Sequence, residues 1–169
     1  MDFLRANQLD IMMYMSGVCG VLAIMSLLPK FMTRRRKSIL ALMEICSMLL
    51  LICDRLAYVY RGDVSDFGGF MVRFTNGMTY FLTILIPLLV TYLIGDLYLN
   101  EGKMKKLPKQ ILICQVLFAI GTLLIVISQF TGLYYSFDSS NRYQRSSLNF
   151  ISYIIPFLTV IIQESMLVQ

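Results

Sequence analysis

Any chemistry in this chain has to be done without histidine, because none of its 169 residues is one. That removes the commonest metal ligand and the commonest general base together. What remains is two groups of polar residues set among long apolar runs. The first is Asp54, Arg73 and Asn76. Asp54 shares a helical face with Tyr58 and Arg61, four and seven residues on, and Arg73 shares one with Asn76, three residues on. The second lies in "TGLYYSFDSSNRYQR", residues 131–145, where Tyr134, Tyr135, Phe137 and Tyr143 surround Asp138, Asn141, Arg142 and Arg145. Rigid aromatics with two guanidiniums suit recognition of a small anionic or aromatic ligand better than catalysis.

Each group has a plainer reading beside the functional one. Asp54, Arg73 and Asn76 could form an interhelical clasp whose members satisfy one another, at about 1 kcal/mol per contact in a membrane. The aromatics of the loop could dip onto a bilayer interface. "DSSN" reads as a turn whose Asp and Asn cap their own backbone. The four cysteines, Cys19, Cys46, Cys53 and Cys114, lie inside apolar runs and none is in a CxxC spacing, so they read as small buried hydrophobes and not as a zinc or disulfide framework. No metal and no cofactor is expected.

The elements that must carry these residues are spans. Apolar residues make up 57% of the chain against 15% charged, and mean hydropathy is +0.70. A soluble domain of this size needs more polar surface than that. Five apolar runs, at 10–29, 38–60, 70–98, 110–130 and 148–169, reach or exceed the roughly 20 residues that a membrane span requires. The expected fold is an all-α bundle of five transmembrane helices filling residues 1–169, with no soluble domain. Basic residues gather in "KFMTRRRK" at 30–37 and "KMKKLPK" at 103–109. The positive-inside rule makes both loops cytoplasmic in a plasma membrane, with the N-terminus outside and the C-terminus inside. Nucleic acid is not needed to explain the charge.

Smaller expectations follow from single residues. Pro87, inside the third run, removes a backbone hydrogen bond and marks a hinge. Glu44 is expected to reach the basic loop before it, and Asp96 to lie near Lys103 or Lys105. Ser16, Gly17 and Gly20 permit close helix packing. The last run ends without a basic anchor, so the chain is expected to be the front part of something longer.

"CDRLAYVYRG", "VRFTNGMTYFLT" and "FTGLYYSFDSSNRYQRSSLNFISYIIP" together resemble the N-terminal membrane module of Firmicutes signalling proteins, those carrying diguanylate cyclase (GGDEF) domains and related histidine kinases. The resemblance covers roughly residues 45–160. It implies that Asp54, Arg73 and Asn76 are the polar positions of the second and third spans, and that Tyr135, Phe137, Asp138, Asn141, Tyr143 and Arg145 are the outer loop. It implies a sensory input module, with no enzyme activity in this chain, that passes a signal to a cytoplasmic domain or partner. A second copy of the chain is a further candidate partner, and the ligand is unknown. The alternative is a small permease or the substrate-binding subunit of a transporter. That needs polar residues near the midplane, where the sequence offers "MLLLI" and "ILIP".

Overall fold

The apolar runs become helices, and several are closed by residues that meet the orphaned backbone groups at their ends. In a computed structural model, which describes residues 7–102 and 108–167, the helices are α1 (Gln8–Leu27), α2 (Arg34–Val59), α3 (Asp66–Asn100), α4 (Lys109–Thr131) and α5 (Ile151–Leu167). Thr33 caps α2 by accepting from the Arg36 amide at 3.3 Å, and Ser65 caps α3 by accepting from the Gly68 amide at 3.0 Å. Gly132 ends α4 with φ of +68°, a left-handed turn that glycine adopts without steric cost. All five expected runs are thus helical, to within a few residues at their ends; residues 168–169 of the last lie outside the described part.

Three of these helices, α1, α3 and α4, are long and apolar enough to cross a membrane by length and composition. α2 carries Glu44, Asp54 and Arg55 in its apolar stretch, and α5 is a shorter apolar helix. With 35 residues, α3 is about 52 Å long at 1.5 Å per residue. It is the spine of the molecule: α2 packs on it from one direction, α4 and α5 from others, while α1 packs on α2. Gly20 lets α1 approach α2 closely, since a Cβ there would meet the Met48 sulfur at 3.3 Å; Gly17 faces open space and does not serve this packing.

The segment between α4 and α5 departs from an all-helical plan. It folds into an antiparallel hairpin of β1 (Tyr135–Phe137) and β2 (Tyr143–Arg145), with Tyr135 opposite Arg145 and Phe137 opposite Tyr143. As expected, Asp138 caps the turn between them, accepting from the Ser140 and Arg142 amides at 3.0 and 2.8 Å. The hairpin lies over the core formed by Ile84, Ile125, Tyr134, Tyr135 and Ile155. A second cluster, Cys46, Leu82 and Leu89, joins α2 to α3, and a third, Ile94, Ile111 and Met166, closes the other end.

Two of the charged residues meet partners distant in sequence. Asp96, 1% exposed, pairs with Arg36 at 3.3 Å and Arg35 at 3.9 Å, so the first turn of α2, part of the basic loop stretch 30–37, supplies its cations. Lys103 and Lys105 lie outside the described residues. Glu44, expected to turn toward the same basic loop, lies beside the Cys19 thiol of α1.

Candidate functional site

The hairpin end of the bundle holds a cavity of about 420 Å³ between α2 and α5, with α3 at its back. α2 contributes Asp54 and Tyr58, and the turn just past its end contributes Arg61, the three residues whose spacing placed them on one face. α3 contributes a polar stripe at helical spacing, Asn76, Thr79, Tyr80 and Thr83. The hairpin closes the top with Tyr143 and Arg145, while Ile84, Ile125 and Ile155 form an apolar floor. A bundle gains such a cavity when two helices pack on a third and not on each other, and α2 and α5 do so here.

Among the site residues expected from sequence, Asp54, Asn76, Tyr143 and Arg145 share this cavity. Arg73 does not. Its guanidinium sits 5.8 Å from the Phe137 ring centroid and lines a wider groove of about 870 Å³ between α3 and α4, together with Asp138 and Asn141. Asn76 donates to the Val72 carbonyl of its own helix at 2.7 Å. Among the described residues no hydrogen bond or ion pair joins Asp54, Arg73 and Asn76 to one another, so the mutual clasp is not formed. The reason is angular. Three residues along a helix turn the side chain by about 60°, enough on a central helix to put Arg73 and Asn76 on two different surfaces.

Tyr135 and Phe137 lie between the two cavities. Tyr135, 2% exposed, stacks on Tyr80 at 5.2 Å and on Tyr143 at 5.6 Å between ring centroids, and Phe137 meets Tyr135 edge-on. Its hydroxyl accepts a hydrogen bond from Gln129 Nε2. Burial pushes the Tyr135 phenol up to about 12, and raises that of Tyr134 as well. Beneath the stack runs a hydroxyl chain: Asn149 Nδ2 donates to Tyr80 Oη at 2.7 Å, and Tyr80 Oη shares a hydrogen bond with Tyr143 Oη at 2.7 Å. Asn141 holds the hairpin down, donating from Nδ2 to the Asp63 carbonyl at 2.7 Å. Asp63 itself accepts from the Ser65 amide, which keeps its carboxyl below the usual carboxylate range.

Sequence reasoning singled out neither Thr79, Tyr80 and Thr83 nor Gln163. The first three were legible as a stripe continuing from Asn76. Gln163 sits inside an apolar run near the chain end; its side chain reaches from α5 to Pro87 and Thr91, well along α3 from the hairpin, where the sequence had suggested only apolar residues.

The functional class cannot be taken from relatives: no family model, no curated protein and no solved structure matches this chain. The fold and the cavity alone define it as a predominantly helical protein with three membrane-length helices and a polar, aromatic-rimmed recess at one end.

Proposed function

We propose that the chain is the membrane-embedded input module of a bacterial signal-transduction protein. In this reading the five helices span the plasma membrane, the hairpin end faces outward and the basic loops at 30–37 and 103–109 face the cytoplasm. A signal arriving from outside or through the membrane is passed to a cytoplasmic output domain or partner. The observation that carries the reading is the cavity itself: an occupant would touch α2, α3, α4, α5 and the hairpin at once. Occupancy would therefore bias how the helices pack, and helix shifts of this kind couple distant sites by about 1–3 kcal/mol. The resemblance of the hairpin stretch and its flanking spans to the Firmicutes sensor module supports the same assignment.

The test is to fill the cavity. Placed ahead of a diguanylate cyclase domain, Thr79→Trp is expected to hold cyclase output at one level whatever the growth condition. Leu123→Trp, on the exposed apolar face of α4, is expected to behave as wild type. Identical output from the two variants rejects the reading.

A small permease, or the substrate-binding subunit of one, is the second reading. It is favoured by the buried polar contact of Gln163 with Pro87 and Thr91, deeper in the bundle than the cavity. Uptake of a labelled solute into vesicles carrying the purified chain alone would select it.

A further inference from the structure

The cavity walls carry unbalanced charge in an ordered arrangement. Asp54, half-buried on α2, makes no side-chain hydrogen bond or ion pair among the described residues, and neither does the guanidinium of Arg61 or Arg145. Two neighbouring acids are engaged, Asp63 by the Ser65 amide and Asp138 by its own turn, and Asp66, which lies outside the cavity, is exposed to solvent. The unpaired carboxylate is the deeper group and the two guanidiniums are the exposed ones. Partly buried charge without a counter-charge is costly, and in an apolar surrounding it marks a place where a partner is supplied from elsewhere.

Two simple partners fail on this arrangement. A lone anion would be drawn to Arg61 and Arg145 but would leave Asp54 uncompensated and repelled. A lone cation would satisfy Asp54 and meet two guanidiniums. A molecule with an ammonium at one end and a carboxylate at the other satisfies all three. Asp54 stands five residues before the end of α2, about 7.5 Å along its axis, and Arg61 lies two residues beyond that end, in the turn. An extended dipeptide spans about 7 Å, and flexible arginine side chains cover the remainder; a single amino acid, with its charges about half as far apart, does not. Tyr58, one turn from Asp54, and Tyr143 line the cavity, so aromatic rings are at hand for an ammonium. Ile84, Ile125 and Ile155 offer an apolar surface to a side chain. A volume of about 420 Å³ falls in the range of small-molecule sites, about 300–1,000 Å³.

Resting on the input reading above, we propose that this cavity binds a short zwitterionic peptide, with Asp54 taking its ammonium and Arg61 with Arg145 its carboxylate.

The test uses the full chain in a detergent without amine headgroups and three probes: glycyl-leucine, its N-acetyl form and its C-terminal amide. Glycyl-leucine is expected to bind by calorimetry, and each blocked form at least about tenfold more weakly, since each loses one charge-assisted contact. Asp54→Asn is expected to abolish the preference for the free amine alone. Arg145→Gln is expected to weaken the preference for the free carboxylate alone. Equal binding of all three probes, or none of glycyl-leucine, overturns the proposal. Hydrogen exchange of α2 and α5, followed in wild type and in Thr79→Trp, separates it from the input reading. If Thr79→Trp alters that exchange while glycyl-leucine does not bind, the zwitterion site falls and the input reading stands. If glycyl-leucine binds with both preferences but leaves the exchange of α2 and α5 unchanged, the site stands and the input reading falls.

Discussion

Gln163 Nε2 donates to the Pro87 carbonyl at 2.6 Å and to Thr91 Oγ1 at 2.9 Å, tying α5 to α3 at the proline. Thr91 Oγ1 in turn donates to the Pro87 carbonyl at 3.0 Å, so three buried polar groups satisfy one another in an apolar surrounding. Gln163→Leu keeps the volume and removes two hydrogen bonds. It is expected to cost about 1 kcal/mol, the usual worth of such contacts between membrane helices. Adding Thr91→Val to Gln163→Leu should cost less than the sum of the single changes, because the two share a partner. Thermal unfolding in detergent measures both. Additive losses would mean that the groups act independently.

That contact also shows where the sequence was legible and where it was not. Helix positions could be read because apolar runs of span length stand between residues with capping chemistry, Thr33, Ser65 and Gly132. The turn at Asp138 could be read for the same local reason. The hairpin could not, since three residues per strand are too few for a period of two to stand out. Nor could the partners of the buried polar groups. Asp96 pairs with Arg36, 60 residues away in sequence, beyond the reach of any local pattern. Of the site, the grouping of Asp54 and Tyr58 on α2 with Arg61 just past its end was readable from spacing alone. The separation of Arg73 from Asn76 depended on α3 being central, which no local pattern states.

The pairing of Asp96 with Arg36 sets up a comparison between two ion pairs of one arginine. Arg36 also reaches Glu101 at 2.7 Å, but Glu101 is 65% exposed and Asp96 is 1% exposed. Exposed pairs are screened by salt and contribute little, whereas a buried acid stripped of its partner is strongly destabilising. Arg36→Met should therefore lower the unfolding temperature well beyond Glu101→Gln. The effect of Glu101→Gln should fade in high salt while that of Arg36→Met persists. Equal losses from the two variants would show that Asp96 is not held by Arg36.

Tyr135 gives the hairpin a sensitivity to alkali. Its phenol is raised from about 10 to about 12 by burial, so the folded chain keeps the proton that the unfolded chain releases. The stabilisation is complete below pH about 10 and is lost as pH rises toward about 12, on the order of 2 kcal/mol in all. Tyr134, raised in the same direction, adds to the same step. Unfolding curves collected from neutral pH upward should show this decline. Tyr135→Phe should reduce it, even though it sacrifices the hydrogen bond from Gln129. A variant with the full alkaline decline would place the titration elsewhere.

Asn141 is the residue on which the hairpin turns back toward α2 and α3. It has φ of +53°, in the left-handed region that asparagine tolerates better than most side chains. Its Nδ2 holds the Asp63 carbonyl, and its own carbonyl accepts from the Gly62 amide at 3.3 Å. Alanine at this position loses the side-chain hydrogen bond and pays for the backbone conformation as well, whereas glycine loses only the hydrogen bond. Asn141→Ala is expected to destabilise by about 2 kcal/mol and Asn141→Gly by about 1 kcal/mol. Limited proteolysis in the hairpin should follow the same order, wild type slowest and alanine fastest. If the glycine variant is cut as fast as the alanine variant, the side-chain bond to Asp63 holds the hairpin and the backbone conformation adds nothing. Cleavage of both at the wild-type rate would mean that the aromatic stack of Tyr80, Tyr135 and Tyr143 anchors the hairpin without Asn141.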